Sequence, residues 1–297
     1  MIKPSLLSLS LFATLILSQN LFARPRPTEI HPEPFPVRKV IVAIIDTGAD
    51  ISHPQLKDMI WQNTAELENG LDDDQNGKID DIHGWNFVEQ NSDIEDQHGH
   101  GTHIAGIIAQ NKNVQLMILK ALDVNQTGEA AIETTVNAIY YAIKMKADII
   151  NYSGGGTISH PRERMALELA QKKGILVVAA AGNYKANTDQ NGFYPASYNL
   201  KNIISVAAVD YNGQLLPSSN FGSNSVSVAA NGKEVTSTLP NKKTGKMTGT
   251  SQATAKVTRA LASLIYKSKN PVHDLILKGK RSSTLTGKIK NPIIIED

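Results

Sequence analysis

An aspartate, a histidine and a serine, each close to glycine, stand far apart in this chain: Asp46 in IIDTG, His100 in HGHGTHIAG and Ser251 in GTSQA. Asn183, in AAAGN, adds a side-chain amide at another glycine turn. Singly, each has an ordinary structural reading, because aspartate and serine cap helices and asparagine starts turns. Together they are the set that acyl transfer requires. A serine hydroxyl is a weak nucleophile at neutral pH and needs a base; the base needs a carboxylate to hold its tautomer; the tetrahedral oxyanion needs donors where its charge develops. A second chemistry is open at the histidines. His98, His100 and His103 fall within six positions and could ligate a metal, but no HExxH accompanies them, and glycines interrupt helical i, i+4 presentation until after His100.

Such residues need rigid elements to hold them. Continuous apolar runs lie at KVIVAIIDTG (39–48), VQLMILKAL (114–122), ADIINYS (147–153), GILVVAAAGN (174–183) and NIISVAAVD (202–210). Runs apolar on both faces belong to parallel strands covered by helices on both sides. Between them the pattern turns helical. EAAIETTVNAIYYAIKM sets Ile132, Val136, Ile139, Tyr140 and Ile143 on one stripe; HPRERMALELAQKKG has Pro161 in a first turn and Gly174 at a stop; TSQATAKVTRALASLIYK aligns Ala253, Val257, Ala260, Leu261, Leu264 and Ile265. The expected fold class is α/β, a three-layer, doubly wound, mostly parallel sheet with helices on both faces. Function is expected at the carboxyl ends of its strands, where Asp46 and Asn183 fall.

The 297 residues carry a formal net charge of +2 and no cysteine. Near-neutrality gives no electrostatic reason to invoke nucleic acid or an anionic membrane, and the missing cysteines exclude disulfides, thiolate metal sites and a thiol nucleophile. Residues 1–23 read as a secretory signal, with Lys3 ahead of LLSLSLFATLIL (6–17) and small Ala23 at a cleavage position. The apolar stretch is too short for a bilayer, which takes about 20 residues. A secreted or periplasmic protein is expected, off the membrane once the signal is removed. RPRPTEIHPEPFP opens a Pro-rich arm or linker over 24–39. The folded domain is expected over 40–290, and IIIED belongs to a last stretch, 291–297, that reads as a strand or a loose tail.

AIIDTG, HGTHIAG, INYSGGG, VVAAAGN and GTSQAT occur in one order, with GWNF, YPAS and SNFGS between them. In these motifs the chain resembles the subtilisin-like serine proteases, the subtilase family, from about residue 40 to about 290. The resemblance implies a serine endopeptidase acting through an acyl-enzyme intermediate, with Asp46, His100 and Ser251 as the triad and the Asn183 amide and Ser251 backbone N–H as oxyanion donors. A catalytically weak or inactive binding protein on the same fold is the alternative. Resemblance further implies that an extended peptide lies between Gln126, Thr127 and Gly128 on one side and Ser153, Gly154 and Gly155 on the other. A monomer acting on protein or peptide substrates is expected, with no cofactor for catalysis. Gly154 departs from the leucine frequent in the family, so a roomier subsite wall is expected. Gln252 replaces a frequent methionine beside the nucleophile, which removes a thioether and suggests peroxide tolerance. The bond Tyr194–Pro195 falls where the family implies a cis peptide.

LDDDQNGKIDDIHGW (71–85) is a separate candidate. Asp72, Asp74, Asn76, the Lys78 carbonyl and Asp80 match the alternating oxygens of an EF-hand-type loop, with Gly77 at the turn, and a structural Ca2+ is expected. His83, at position twelve, cannot supply the usual bidentate carboxylate. His53, His83, His160 and His273 have no partner pattern and read as structural or surface residues.

Overall fold

The computed structural model describes residues 38–123 and 125–296. The expected signal segment and all but the last two residues of the arm lie outside them. In chain order, the strands of the unit Arg38–Asp297 are β1 (Val40–Asp46), β2 (Gly84–Asn86), β3 (Val114–Lys120), β4 (Ile149–Tyr152), β5 (Leu176–Ala180), β6 (Ile203–Val209), β7 (Val228–Asn231), β8 (Val235–Leu239), β9 (Lys243–Met247), β10 (Lys280–Arg281) and β11 (Ile293–Ile295). Its helices are α1 (His100–Ile108), α2 (Gly128–Lys144), α3 (Pro161–Lys172), α4 (Thr250–Ala262) and α5 (Pro271–Lys278).

Each of the five apolar runs forms a strand. Nine strands make one sheet in the order β10-β11-β7-β6-β5-β4-β1-β3-β2, and every pair is parallel except β10 with β11. Alternation along β1 divides the core. Val42 and Ile44 face Ile104 and Ile107 of α1 and Val257 and Leu261 of α4. Ala43 and Ile45 face Val136 and Ile139 of α2 and Leu167 of α3. The result is three layers, helices on both faces of a mostly parallel sheet. β2 and β3 lie on one side of β1, and β4 and the later strands of this sheet lie on the other, so the carboxyl ends of β1 and β4 flank the topological switch point.

The structure adds to the local readings at three places. Tyr140 points to solvent, and its neighbour Tyr141 is buried instead, because its hydroxyl donates to Asp81 (2.6 Å) and its ring meets Phe87 edge-on at 5.7 Å. Of the two readings of 291–297, strand and loose tail, Ile293–Ile295 takes the strand: these residues form β11, with Ile293 and Ile295 buried against the face that α4 covers. A hairpin that the apolar runs did not predict, β8–β9, turns through Asn241 and Lys242 at φ 61° and 59°. It packs on α1 so closely that a Cβ on Gly106 would lie 2.1 Å from Thr238 Oγ1. Among the described residues no helix is long and apolar enough to cross a membrane.

Candidate active site

Asp46 ends β1 with its side chain buried, and His100 begins α1. His100 Nδ1 lies 2.7 Å from Asp46 Oδ1, which also accepts the Thr47 N–H at 2.8 Å. The approach depends on Gly101: a Cβ there would sit 2.1 Å from the Gly48 carbonyl oxygen. Asp96, which no motif singled out, organises the turn into α1. Its Oδ1 accepts the His98 and Gly99 amides and the Thr47 hydroxyl, and its Oδ2 accepts the Thr102 amide and hydroxyl. A carboxylate at a helix N-terminus also favours the helix dipole. Burial opposes protonation of His100, but the charge of Asp46, its hydrogen bond and the charge of Asp96 outweigh it, so the imidazole pKa stands above the ordinary histidine value.

Ser251 is the second residue of α4, and its hydroxyl donates to the Ser153 carbonyl oxygen at 3.0 Å rather than to His100. In return the Ser153 hydroxyl donates to the Ser251 carbonyl oxygen at 3.3 Å. Asn151 in β4 ties the two segments: its Nδ2 donates to Ser153 Oγ and its Oδ1 accepts the Thr258 hydroxyl of α4. Asn183 follows β5, where its Oδ1 accepts the Thr250 backbone N–H (3.0 Å) and hydroxyl (3.1 Å). Because that N–H can only donate, the side-chain oxygen must face α4 and the NH2 is left for another acceptor. Asn220 holds this turn. Its Oδ1 accepts the Tyr184 and Ala186 amides and its Nδ2 donates to the Ala181 carbonyl.

The three histidines do not converge. His103 is fully buried, its Nε2 donates to the carbonyls of Val235 (3.0 Å) and Gly245 (3.2 Å) in the hairpin, and burial holds its pKa below the ordinary value. His98 is exposed, with its ring edge-on to His100 at 6.3 Å. His100 alone meets a carboxylate in the cleft.

The subtilase family model, described as "Subtilase family", matches residues 37–283. The chain belongs to the subtilase family. It is 38% identical over 237 residues to the major intracellular serine protease of Bacillus subtilis (strain 168), covering 76% of this chain and 68% of that one. It is 35% identical over 227 residues to thermitase of Thermoactinomyces vulgaris, with 73% and 71% covered. Other relatives are longer: the chain spans 53% of a thermophilic serine proteinase from Bacillus sp. (strain AK1), at 34% identity over 242 residues and 78% of this chain. Among solved structures, a cold-adapted subtilisin-like serine proteinase superposes with a TM-score of 0.68 at 21% identity, covering 87% of this chain and 88% of that one, a likeness of fold.

In this subtilase Gln126, Thr127, Gly128 and Gly155 of the expected substrate segments line one recess. Thr127 is extended (φ −139°, ψ 164°) before α2, and Gly155 takes φ 146°, where a Cβ would lie 2.2 Å from the Tyr194 carbonyl oxygen. The adjoining Gly156 exchanges two backbone hydrogen bonds with Tyr194, and Tyr194–Pro195 is cis. The roomier wall expected at Gly154 is not found. A Cβ there would meet Leu122 Cδ1 at 2.8 Å and Tyr152 Cε2 at 3.3 Å, because Leu122 fills the space a larger residue would take. Nor is the nucleophile's neighbourhood free of thioether, since Gln252 Nε2 lies 3.9 Å from Met247 Sδ.

In the acidic loop one expected ligand, Asp80, is engaged elsewhere. Asp80 turns away: its carboxylate accepts the Asn69 and Gly70 amides, and its backbone takes φ 55°. Glu66, from upstream, takes part instead, and Glu66, Asp72 and Asp74 bring ligand oxygens within 4.8 Å of one another. Asp74 Oδ1 and Asn76 Oδ1 are buried without hydrogen-bond partners among the described residues. The Lys78 ammonium lies over the rings of Trp85 (5.0 Å) and Phe87 (5.7 Å).

Proposed function

We propose that this subtilase is an exported serine endopeptidase that cleaves extended peptides through an acyl-enzyme. The observation that carries the reading is the 2.7 Å contact between His100 Nδ1 and Asp46 Oδ1, at the same switch point where Ser251 starts α4. Asp46 holds the Nδ1–H tautomer and leaves Nε2 as the base. The Ser251 hydroxyl leaves the Ser153 carbonyl, gives its proton to Nε2 and attacks the substrate carbonyl. The imidazolium then protonates the leaving amine, and a water repeats the cycle on the ester. Charge on the oxyanion is met by the Asn183 NH2, the Ser251 backbone N–H and the dipole of α4. Support for export is the signal-like residues 1–23; N-terminal sequencing of the mature protein tests it.

Fluorophosphonate labelling tests the chemistry. Ser251 should be labelled, the Ser251→Ala variant should not, and brief chelation should change nothing. No labelling of folded protein would favour the binding-protein reading instead.

A structural Ca2+ in the acidic loop belongs to the same proposal, held by Asp72, Asp74, Asn76 Oδ1, the Lys78 carbonyl and, in place of Asp80, Glu66. The partnerless buried oxygens of Asp74 and Asn76 support it, since a hard cation would satisfy both.

A further inference from the structure

A recess of about 530 Å3 opens beside the cleft between the segments at 126–129 and 155–158. Leu122, Ile132, Ile158 and Tyr194 give it apolar walls, and Ile158, at 80% exposed, stands at its mouth. Its floor is different in kind. Glu163, in the first turn of α3, lines it with only 2% of its surface exposed. Glu163 Oε1 accepts the Tyr152 hydroxyl at 3.1 Å and Oε2 accepts the Tyr198 hydroxyl at 2.7 Å. Both phenols have pKa values raised first by burial, so they remain donors and fix the carboxylate's orientation.

A carboxylate accepts about four hydrogen bonds, so roughly two sites on Glu163 are still open. No described cation forms an ion pair with it. The nearest basic group, His160, directs its Nε2 to Glu129 Oε2 at 3.2 Å instead, and Glu129 also holds Arg162 at 3.1 Å on the rim. Burial raises the Glu163 pKa against the two phenol hydrogen bonds and the charge of His160, so a cation in the recess would favour the ionised form. The recess thus has apolar sides, this carboxyl group inside and a second carboxylate, 64% exposed on its side chain, at the lip. An apolar side chain would fill the walls but leave the open acceptor sites of Glu163 unmet, which is costly. A long cationic side chain satisfies both, because its methylene stem lies along apolar surface while its head meets the charge.

We propose, resting on the endopeptidase reading, that this recess binds an arginine or lysine side chain of the substrate and that Glu163 determines the preference. None of Asp46, His100, Asn183 and Ser251 lines the recess, so the residue it takes is not the one at the scissile bond. Side chains on one face of an extended peptide recur every second residue, which is how a groove can read a position remote from the cleavage point.

A positional-scanning library of quenched peptides tests this. Arginine or lysine should be enriched at one position removed from the scissile bond. In Glu163→Gln, which keeps acceptor length and one oxygen for the phenols, the ratio of kcat/KM for arginine over norleucine peptides should fall by about tenfold or more, mainly through KM. Glu129→Gln, on the exposed rim, should lower the same ratio less and serves if Glu163→Gln fails to fold. Binding of the two peptides to Ser251→Ala, followed by fluorescence anisotropy, separates this proposal from the one beneath it. Tighter binding of the arginine peptide, weakened by Glu163→Gln, without turnover by the native chain would overturn only the endopeptidase reading. Equal binding of both peptides, or an unchanged ratio in both glutamate variants, would overturn the role of the recess.

Discussion

His100 Nδ1 and Asp46 Oδ1 are 2.7 Å apart, while Asp46 Oδ2 is buried and accepts no hydrogen bond among the described residues. Asp46 Oδ1 thus serves both the imidazole and the adjoining Thr47 amide, and the charge of Asp46 leads the causes that raise the His100 pKa against burial. Two opposite pH dependences follow. The folded pKa of His100 is raised, so the pair stabilises the fold fully below the unfolded histidine pKa, and that contribution is lost as pH rises through the folded value. Turnover needs the neutral imidazole, so kcat/KM should grow over the same window. Asp46→Asn should move the midpoint of the activity profile downward and lower kcat on the order of 10^4-fold. A midpoint that stayed in place would remove Asp46 as the cause of the shift.

Asn183→Asp keeps an oxygen for the Thr250 amide but removes the NH2. If that NH2 meets the oxyanion, kcat should fall roughly 100- to 1,000-fold with little change in KM or in melting temperature. An equal loss in KM alone would mean that Asn183 binds substrate and does not stabilise the transition state.

Calcium should raise the melting temperature, and a chelator should lower it. At a free concentration 100 times Kd the linkage is worth about 2.7 kcal/mol, which for a domain of this size is a shift of roughly 5–10 °C. Asp74→Asn and Glu66→Gln should shrink the response, whereas Asp80→Asn, whose side chain caps Asn69 and Gly70, should leave it intact. Thermal scans of the four proteins with and without calcium decide the ligand set.

Leu122 and Gly154 are expected to be coupled. Gly154→Leu drives a side chain into Leu122 and should cost about 1–3 kcal/mol, and Leu122→Ala should recover part of that loss in the double variant. Additive losses in a denaturant-unfolding cycle would show that the two do not share the space.

Much of the sheet was legible because strands covered on both faces need unbroken apolar sequence, as in VIVAIID of β1. The side of a helix was less so: Tyr140 and Tyr141 both suit a helical stripe, and the choice between them is made by Asp81 and Phe87 from a distant loop. At the site, Asp46, His100, Asn183 and Ser251 stood out because each sits at a glycine turn with distinctive neighbours. Asp96 did not, because NSDIEDQ offers three carboxylates and only the fold selects the one that reaches Thr47 and Thr102. Glu66 and Glu163 were hidden for the same reason. Each acts through partners remote in sequence, and His160, which looked like a surface residue, pairs with Glu129 across the recess.

The two ends of the sheet carry a consequence for the company this protein keeps. At one end β10 is only Lys280–Arg281, both exposed; at the other, Asn86 of the three-residue β2 is bridged by Asn91 from the neighbouring turn. Short, cationic or covered edges refuse further strands. If extended substrates enter by the proposed cleft, strand pairing along the flanks of the sheet is not open to them, and the sheet edges would not seed their aggregation.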